Sequence, residues 1–171
     1  ELKYPCHSPD KQRWFILRVM VFGDDSSKVV VSHTDISELM LSKDKLQESE
    51  NNLKEIMDNS AEMIWSMDID HRLIIFNAAF KEEYERFSGN TPTAGIIFYQ
   101  TMPADAALLW QQKIEETLLG KNVSFEFTYN LENEKKHVGV FLYPLIRNKT
   151  VAGVTGFVMN ITKRKAAEQA L

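Results

Sequence analysis

From Val123 to Tyr129 apolar and polar side chains alternate strictly, with Val123, Phe125, Phe127 and Tyr129 set against Ser124, Glu126 and Thr128. Period two is the mark of a strand with one buried face. Lys136–Ile146 and Val151–Ile161 continue in the same manner, so turns at Leu131–Lys135 and Arg147–Thr150 would close a three-stranded antiparallel run. Arg13–Phe22 also alternates, and after the turn cluster Gly23-Asp24-Asp25-Ser26-Ser27 the run Lys28–His33 returns, predicting a β-hairpin over 13–34. Tyr4–Asp10, with two prolines, reads as loop. Met63–Met67 and Leu73–Phe76 are short strands joined by the polar turn Asp68-Ile69-Asp70-His71-Arg72.

Between these strands the period changes to that of helices. Asp35, with Glu38 three residues on, reads as a capping box opening a helix without Gly or Pro as far as Asp58, which Asn59 would stop in the left-handed conformation. Asn77 is a cap for a short helix, Ala78–Phe87, ending at Ser88-Gly89. Asn90–Thr101 is irregular. A long helix over Pro103–Leu119 shows an apolar face of Ala107, Trp110, Ile114 and Leu118 and stops at Gly120. The order of elements predicts an α+β domain in which an antiparallel sheet closes over helices.

The chain also repeats itself. Asp35-Ile36-Ser37 stands 125 positions before Asn160-Ile161-Thr162, and in each place a β-rich run passes directly into a charged helical segment. The division expected is a C-terminal β-hairpin of a preceding module over 1–36, a helical linker over 37–58, a complete domain over 59–162 and the start of an output helix over 163–171. Leu39, Leu46 and Leu53 recur every seven residues along the linker, with Ser42, Ser49 and Ile56 in the companion positions. That spacing fits either a short parallel coiled coil or a solvated linker helix with one stripe on a neighbour.

Composition narrows the function classes. The 20 basic and 24 acidic side chains leave a net charge of −4 and no polybasic arm, which excludes a nucleic-acid footprint. A single cysteine, Cys6, excludes an internal disulfide or a multi-cysteine metal site and points to a reducing, cytoplasmic compartment. No apolar run approaches the roughly 18–20 residues of a membrane span. The chain reads as part of a longer protein, whose own membrane attachment is left open. No catalytic residue and no metal site is expected: Cys6-His7 has no orienting acid, Asp68 and Asp70 read as a solvated turn, and Gly153-x-x-Gly156 lacks the helix of a phosphate cradle.

Three motifs in this order resemble the PAS domain, a sensory and dimerisation module of bacterial signalling proteins. Asn77-Ala78-Ala79-Phe80 resembles the family's N-x-A-F, and Met102-Pro103-Ala104-Asp105 its H-P-D-D. Gly153-Val154-Thr155-Gly156 followed by Asn160-Ile161-Thr162-Lys163-Arg164-Lys165 resembles its G-x-x-G and D-I-T-E-R-K. The likeness covers Leu53–Thr162 as a complete copy and Glu1–Ser37 as the last strands of another. Two departures stand out. Asn160 replaces the usual Asp of the exit motif, and the usual Asp-Gly around Leu131–Lys135 is missing.

The resemblance implies a five-stranded antiparallel sheet flanked by helices, with an N-terminal β-hairpin remnant and a long linker helix. It also implies a pocket for a small-molecule ligand, with Ile64, Ile74, Asn77, Phe80, Tyr84, Phe98, Trp110, Phe125, Phe127, Val140, Leu142 and Phe157 as candidate lining, although these side chains would equally serve to fill a core. The signal exits would be Asp35, Ile36, Ser37 and Asn160, Ile161, Thr162. Haem is unlike this chain, because no His lies in Pro103–Leu119; cysteinyl-flavin photochemistry is too, because Ala78 and Ala79 stand where its cysteine would be. The expected function is a non-catalytic sensory segment of a sensor histidine kinase acting on a downstream output domain, with self-association through the linker helix and the N-terminal hairpin. The alternative is a ligand-free dimerisation or spacer module.

Overall fold

A computed structural model describes residues 1–23, 28–131 and 134–169. The turn residues Asp24–Ser27, the centre of the Leu131–Lys135 turn and the last two positions lie outside the described residues. The chain divides into two compact units, Glu1–Leu53 and Lys54–Leu171. Among the described residues no helix is long and apolar enough to cross a membrane.

The first unit is a three-stranded antiparallel meander of β1 (Leu2–Pro5), β2 (Trp14–Val21) and β3 (Val29–Asp35), followed by most of α1 (Ser37–Asp58). The predicted hairpin is therefore extended by a third strand whose last two residues, Tyr4 and Pro5, fall in the segment read as loop. Tyr4 overrides the two prolines: its ring stacks on Phe15 and its hydroxyl is 2.8 Å from His33 Nδ1. Pro5 ends the strand on the sheet edge, where its missing N–H breaks no ladder. The chain leaves β3 through a fixed junction, in which Ser37 N–H and Oγ–H both donate to Asp35 Oδ1, at 2.9 and 2.5 Å. Leu39, Leu46 and Leu53 all face solvent along α1.

The second unit is a five-stranded antiparallel sheet in the order β5-β4-β8-β7-β6, built from β4 (Met63–Asp68), β5 (Leu73–Phe76), β6 (Val123–Leu131), β7 (Glu134–Arg147) and β8 (Thr150–Asn160). Between β5 and β6 run α2 (Ala78–Ser88), a 3-10 turn (Phe98–Thr101) and α3 (Ala104–Leu118); α4 (Thr162–Gln169) follows β8. Gly89, at φ 72°, ends α2 in the left-handed conformation as its sequence predicts. Asn59 does not do the same for α1. Its N–H donates to Glu55 O, continuing the helical ladder by one bond, and among the described non-glycine residues positive φ occurs at His71, Asn148 and Lys149. The last two form the turn between β7 and β8.

The core lies between one face of this sheet and the helices. Val123, Val138, Val140, Leu142, Val154 and Val158 come from the strands, and Phe80, Tyr84, Trp110 and Ile114 from α2 and α3. Trp65 and Met67 of β4 and Leu73 of β5 complete it. The other sheet face carries Ile75, Tyr143 and Met159, all exposed.

Candidate functional site

Aromatic side chains from five elements converge on the inner sheet face without filling it. Trp65 of β4 lies 5.1 Å, ring to ring, from Phe98 and 6.2 Å from Trp110, and Phe98 meets Trp110 edge-on at 5.2 Å. Phe80 joins them from α2 at 5.6 Å from Phe98, and Phe127 from β6 at 5.9 Å from Trp110. Edge-to-face packing of this kind is favourable but leaves angular gaps. Here they open into a cavity of about 650 Å³, within the range of small-molecule pockets.

The cavity has an apolar wall and a polar rim. Met63, Tyr84, Phe87, Met102 and Leu109 extend the wall, while Thr101, Asp105, Thr128 and Asn130 supply polar atoms. Glu83 and Tyr129 sit side by side in the lining, and the phenol donates to Glu83 Oε1 at 2.5 Å. Burial, reinforced by that carboxylate, raises the Tyr129 pKa far above its ordinary value, so the phenol remains a neutral donor. Arg86 approaches the second oxygen of Glu83 at 3.5 Å. Trp110 is 3% exposed, and its indole N–H has no acceptor among the described residues.

Of the candidate lining residues, Phe80, Tyr84, Phe98, Trp110 and Phe127 reach the cavity. Phe125, Val140 and Leu142 lie on the same sheet face but outside the lining; Phe125 backs Trp110 at 5.3 Å and the two aliphatics are fully buried. Ile64 and Phe157 are placed on the opposite face. They are cross-strand partners, one residue out of phase with the inward pair Trp65 and Gly156, and a one-residue phase difference reverses the face in any strand. Ile74 is 42% exposed and is the unpaired residue at the bulge opposite Ser66 and Met67.

Asn77 is also outside the lining, and its role is structural. Its Oδ1 accepts from Phe80 N–H at 3.1 Å, the expected helix cap, and from Ile64 N–H at 2.9 Å. Its Nδ2 donates to Met57 O at 2.9 Å and Glu62 O at 2.8 Å. One side chain, 1% exposed, thus ties the end of α1, the start of β4 and the first turn of α2. Asp58 adds a second tie, accepting from Ala78 N–H at 2.8 Å.

Sequence reasoning missed Trp65, Met63, Glu83 and Phe87. Two signals were available: Phe80, Glu83, Tyr84 and Phe87 share one face of α2 by their i, i+3, i+4, i+7 spacing, and a Gly in the strand opposite Trp65 leaves space for an indole.

At the exit, Asn160 Oδ1 accepts from Thr162 N–H at 2.9 Å, Thr162 Oγ1 accepts from His137 N–H at 3.0 Å, and Ile161 N–H donates to His137 O at 2.8 Å. The carboxylate missing at position 160 has a counterpart two strands away, on β6. Glu126 Oε1 pairs with Arg164 at 2.8 Å and Oε2 with Lys165 at 2.6 Å. The Lys165 hydrogen bond, together with the nearby positive charges, holds the Glu126 carboxyl below its ordinary range. Glu126 lies between Phe125 and Phe127, so β6 presents one face to the core and cavity and the other to α4.

No family model matches the sequence, and no curated protein matches it. Solved structures do. The phage VqmA–DPO complex is similar over 72% of this chain and 58% of its own, at 17% identity and a TM-score of 0.55, so the chain spans less than two thirds of that protein's length. The PAS domain of an HTR-like protein from Haloarcula marismortui matches 71% of this chain and 99% of its own, at 17% identity and a TM-score of 0.52. A PAS domain from Colwellia psychrerythraea matches 67% and 98%, at 15% identity and a TM-score of 0.51. At such identities likeness establishes architecture, and the architecture of this chain is a PAS fold.

Proposed function

We propose that this chain is a sensory segment of a multidomain signal-transduction protein, itself non-catalytic, in which occupancy of the cavity is relayed through helices to an output domain of the sensor histidine kinase type. The observation that carries the reading is the position of Asn77. Its helix supplies one wall of the cavity, and its side chain holds the last turn of α1. A ligand that moves α2 would load this tie, while one that moves β6 would load the Glu126 clamp on α4. Differential affinity for two arrangements of these elements is all that signalling requires.

The first unit reads as the end of a preceding PAS copy. Its junction repeats several bonds of the second unit's exit. Ile36 N–H donates to Trp14 O as Ile161 N–H does to His137 O, and Ser37 Oγ accepts from Trp14 N–H as Thr162 Oγ1 does from His137 N–H. A peptide of residues 1–53 is then expected not to unfold cooperatively; a sharp monomeric transition would contradict this. The solvent-facing Leu39, Leu46 and Leu53 support self-association of two chains along α1.

A thermal-shift screen of small metabolites, with native mass spectrometry of the freshly purified protein, tests the sensory reading. A compound that stabilises the protein and is lost when Ala106 in the cavity wall is enlarged to Trp supports it. Absence of any such compound would favour the alternative, a ligand-free dimerisation or spacer module.

A further inference from the structure

The charges around the cavity are one-sided. Glu83 and Asp105 line it, and among the described residues no Lys, Arg or His does. Arg86 reaches Glu83 at 3.5 Å from a half-exposed position outside the lining. A bound anion would meet two carboxylates with no positive side chain in the described lining, and like charges repel. Tyr129 occupies one lone pair of Glu83, and the carboxylate has further acceptor positions. The rings of Phe80, Phe127 and Trp110 line the same cavity, and aromatic faces attract cations that have shed water. A second demand comes from Trp110. Its buried N–H lacks an acceptor among the described residues, on a side chain that lines the cavity. Buried donors are seldom left unpaired.

Taking the sensory reading above as its basis, we infer that the cavity selects a small organic cation: a protonated amine held by Glu83 and the aromatic wall, on a flat apolar body bearing a hydrogen-bond acceptor for the Trp110 indole N–H. Asp105 at the rim adds attraction during entry.

Three probes of one shape separate charge from fit: tyramine, the neutral 4-ethylphenol and the anionic 3-(4-hydroxyphenyl)propionate, titrated into the full chain and followed by indole N–H resonances and calorimetry at neutral pH. Tyramine is expected to bind at least tenfold more tightly than 4-ethylphenol and to shift the Trp110 indole resonance, with the propionate binding most weakly. Glu83→Gln should erase most of the preference. Asp105→Asn, at an exposed position with no packing to lose, should reduce it two- to threefold and so guards against misfolding in the first variant. If 4-ethylphenol or the propionate binds as tightly as tyramine, the cation inference fails while the cavity remains a ligand site. If none of the three perturbs Trp65 or Trp110 at millimolar concentration, the inference falls and the sensory reading is weakened with it.

Discussion

The indole of Trp65 rests directly on Gly156. A Cβ built at 156 would stand 2.2 Å from Cζ2 and 2.3 Å from Cε2 of the ring. The two residues are cross-strand partners on β4 and β8, so the missing side chain on one strand is the space occupied by the large one on the other. Trp65 is 1% exposed and forms part of the cavity wall. Gly156→Ala should therefore force the indole off the sheet, costing about 1–3 kcal/mol as overpacking does. Urea unfolding checks the cost, and Trp65 fluorescence, read in a background where the other tryptophans are Phe, checks the movement. An unchanged midpoint with unchanged emission would contradict the packing.

Asn77 makes four hydrogen bonds, not the single one a helix cap requires. Asn77→Ala should then cost about 2–4 kcal/mol, the sum of a lost cap and of buried groups left unpaired. Asn77→Asp is a finer test. It keeps both acceptor bonds but turns a second oxygen toward Met57 O and Glu62 O. Amide exchange should rise at the end of α1 in the Asp variant while the Phe80 amide stays protected. Equal protection at both places would mean that Asn77 does not hold α1.

Tyr129 should not titrate with the other phenols. Its folded pKa is raised, so its contribution to stability is complete below the ordinary phenol value of 10.0 and is lost as pH rises above it. Ultraviolet titration is expected to leave Tyr129 un-ionised until the protein unfolds, and Tyr129→Phe should remove that hidden phenol. A Tyr129 that ionises freely near pH 10 would contradict its burial against Glu83.

At strongly acid pH the exit clamp should open. The Glu126 carboxyl is held below its ordinary value of 4.5, so its hold on Lys165 and Arg164 is complete above that value and disappears as pH falls through the depressed one. Exchange at the first turn of α4 is expected to rise in that window, and Glu126→Gln should show the same rise at neutral pH. Identical α4 protection in both proteins would exclude the clamp.

Much of the fold was legible because the strands of the second unit alternate cleanly and Asn77, Gly89 and Gly120 punctuate its helices. The third strand of the first unit was not, since two prolines outweigh Tyr4 locally and only the fold reveals its partners Phe15 and His33. The cavity was half legible. Alternation shows that a strand has two faces but not which one turns inward, so Ile64 and Phe157 were chosen where Trp65 and Gly156 hold the inner positions. Glu83 escaped notice because a glutamate on a helix normally faces water, and its burial depends on Tyr129 forty-six residues away.

Coupling between cavity and helices is measured most directly by hydrogen exchange with and without a saturating cavity ligand found in the thermal-shift screen. Occupancy should change protection at the amides Asn77 holds, Ile64 and Phe80, at the last turn of α1, and at the first turn of α4 held by Glu126. Changes confined to side-chain neighbours of the cavity, with α1 and α4 untouched, would leave a binding site without a relay and contradict the sensory function proposed here.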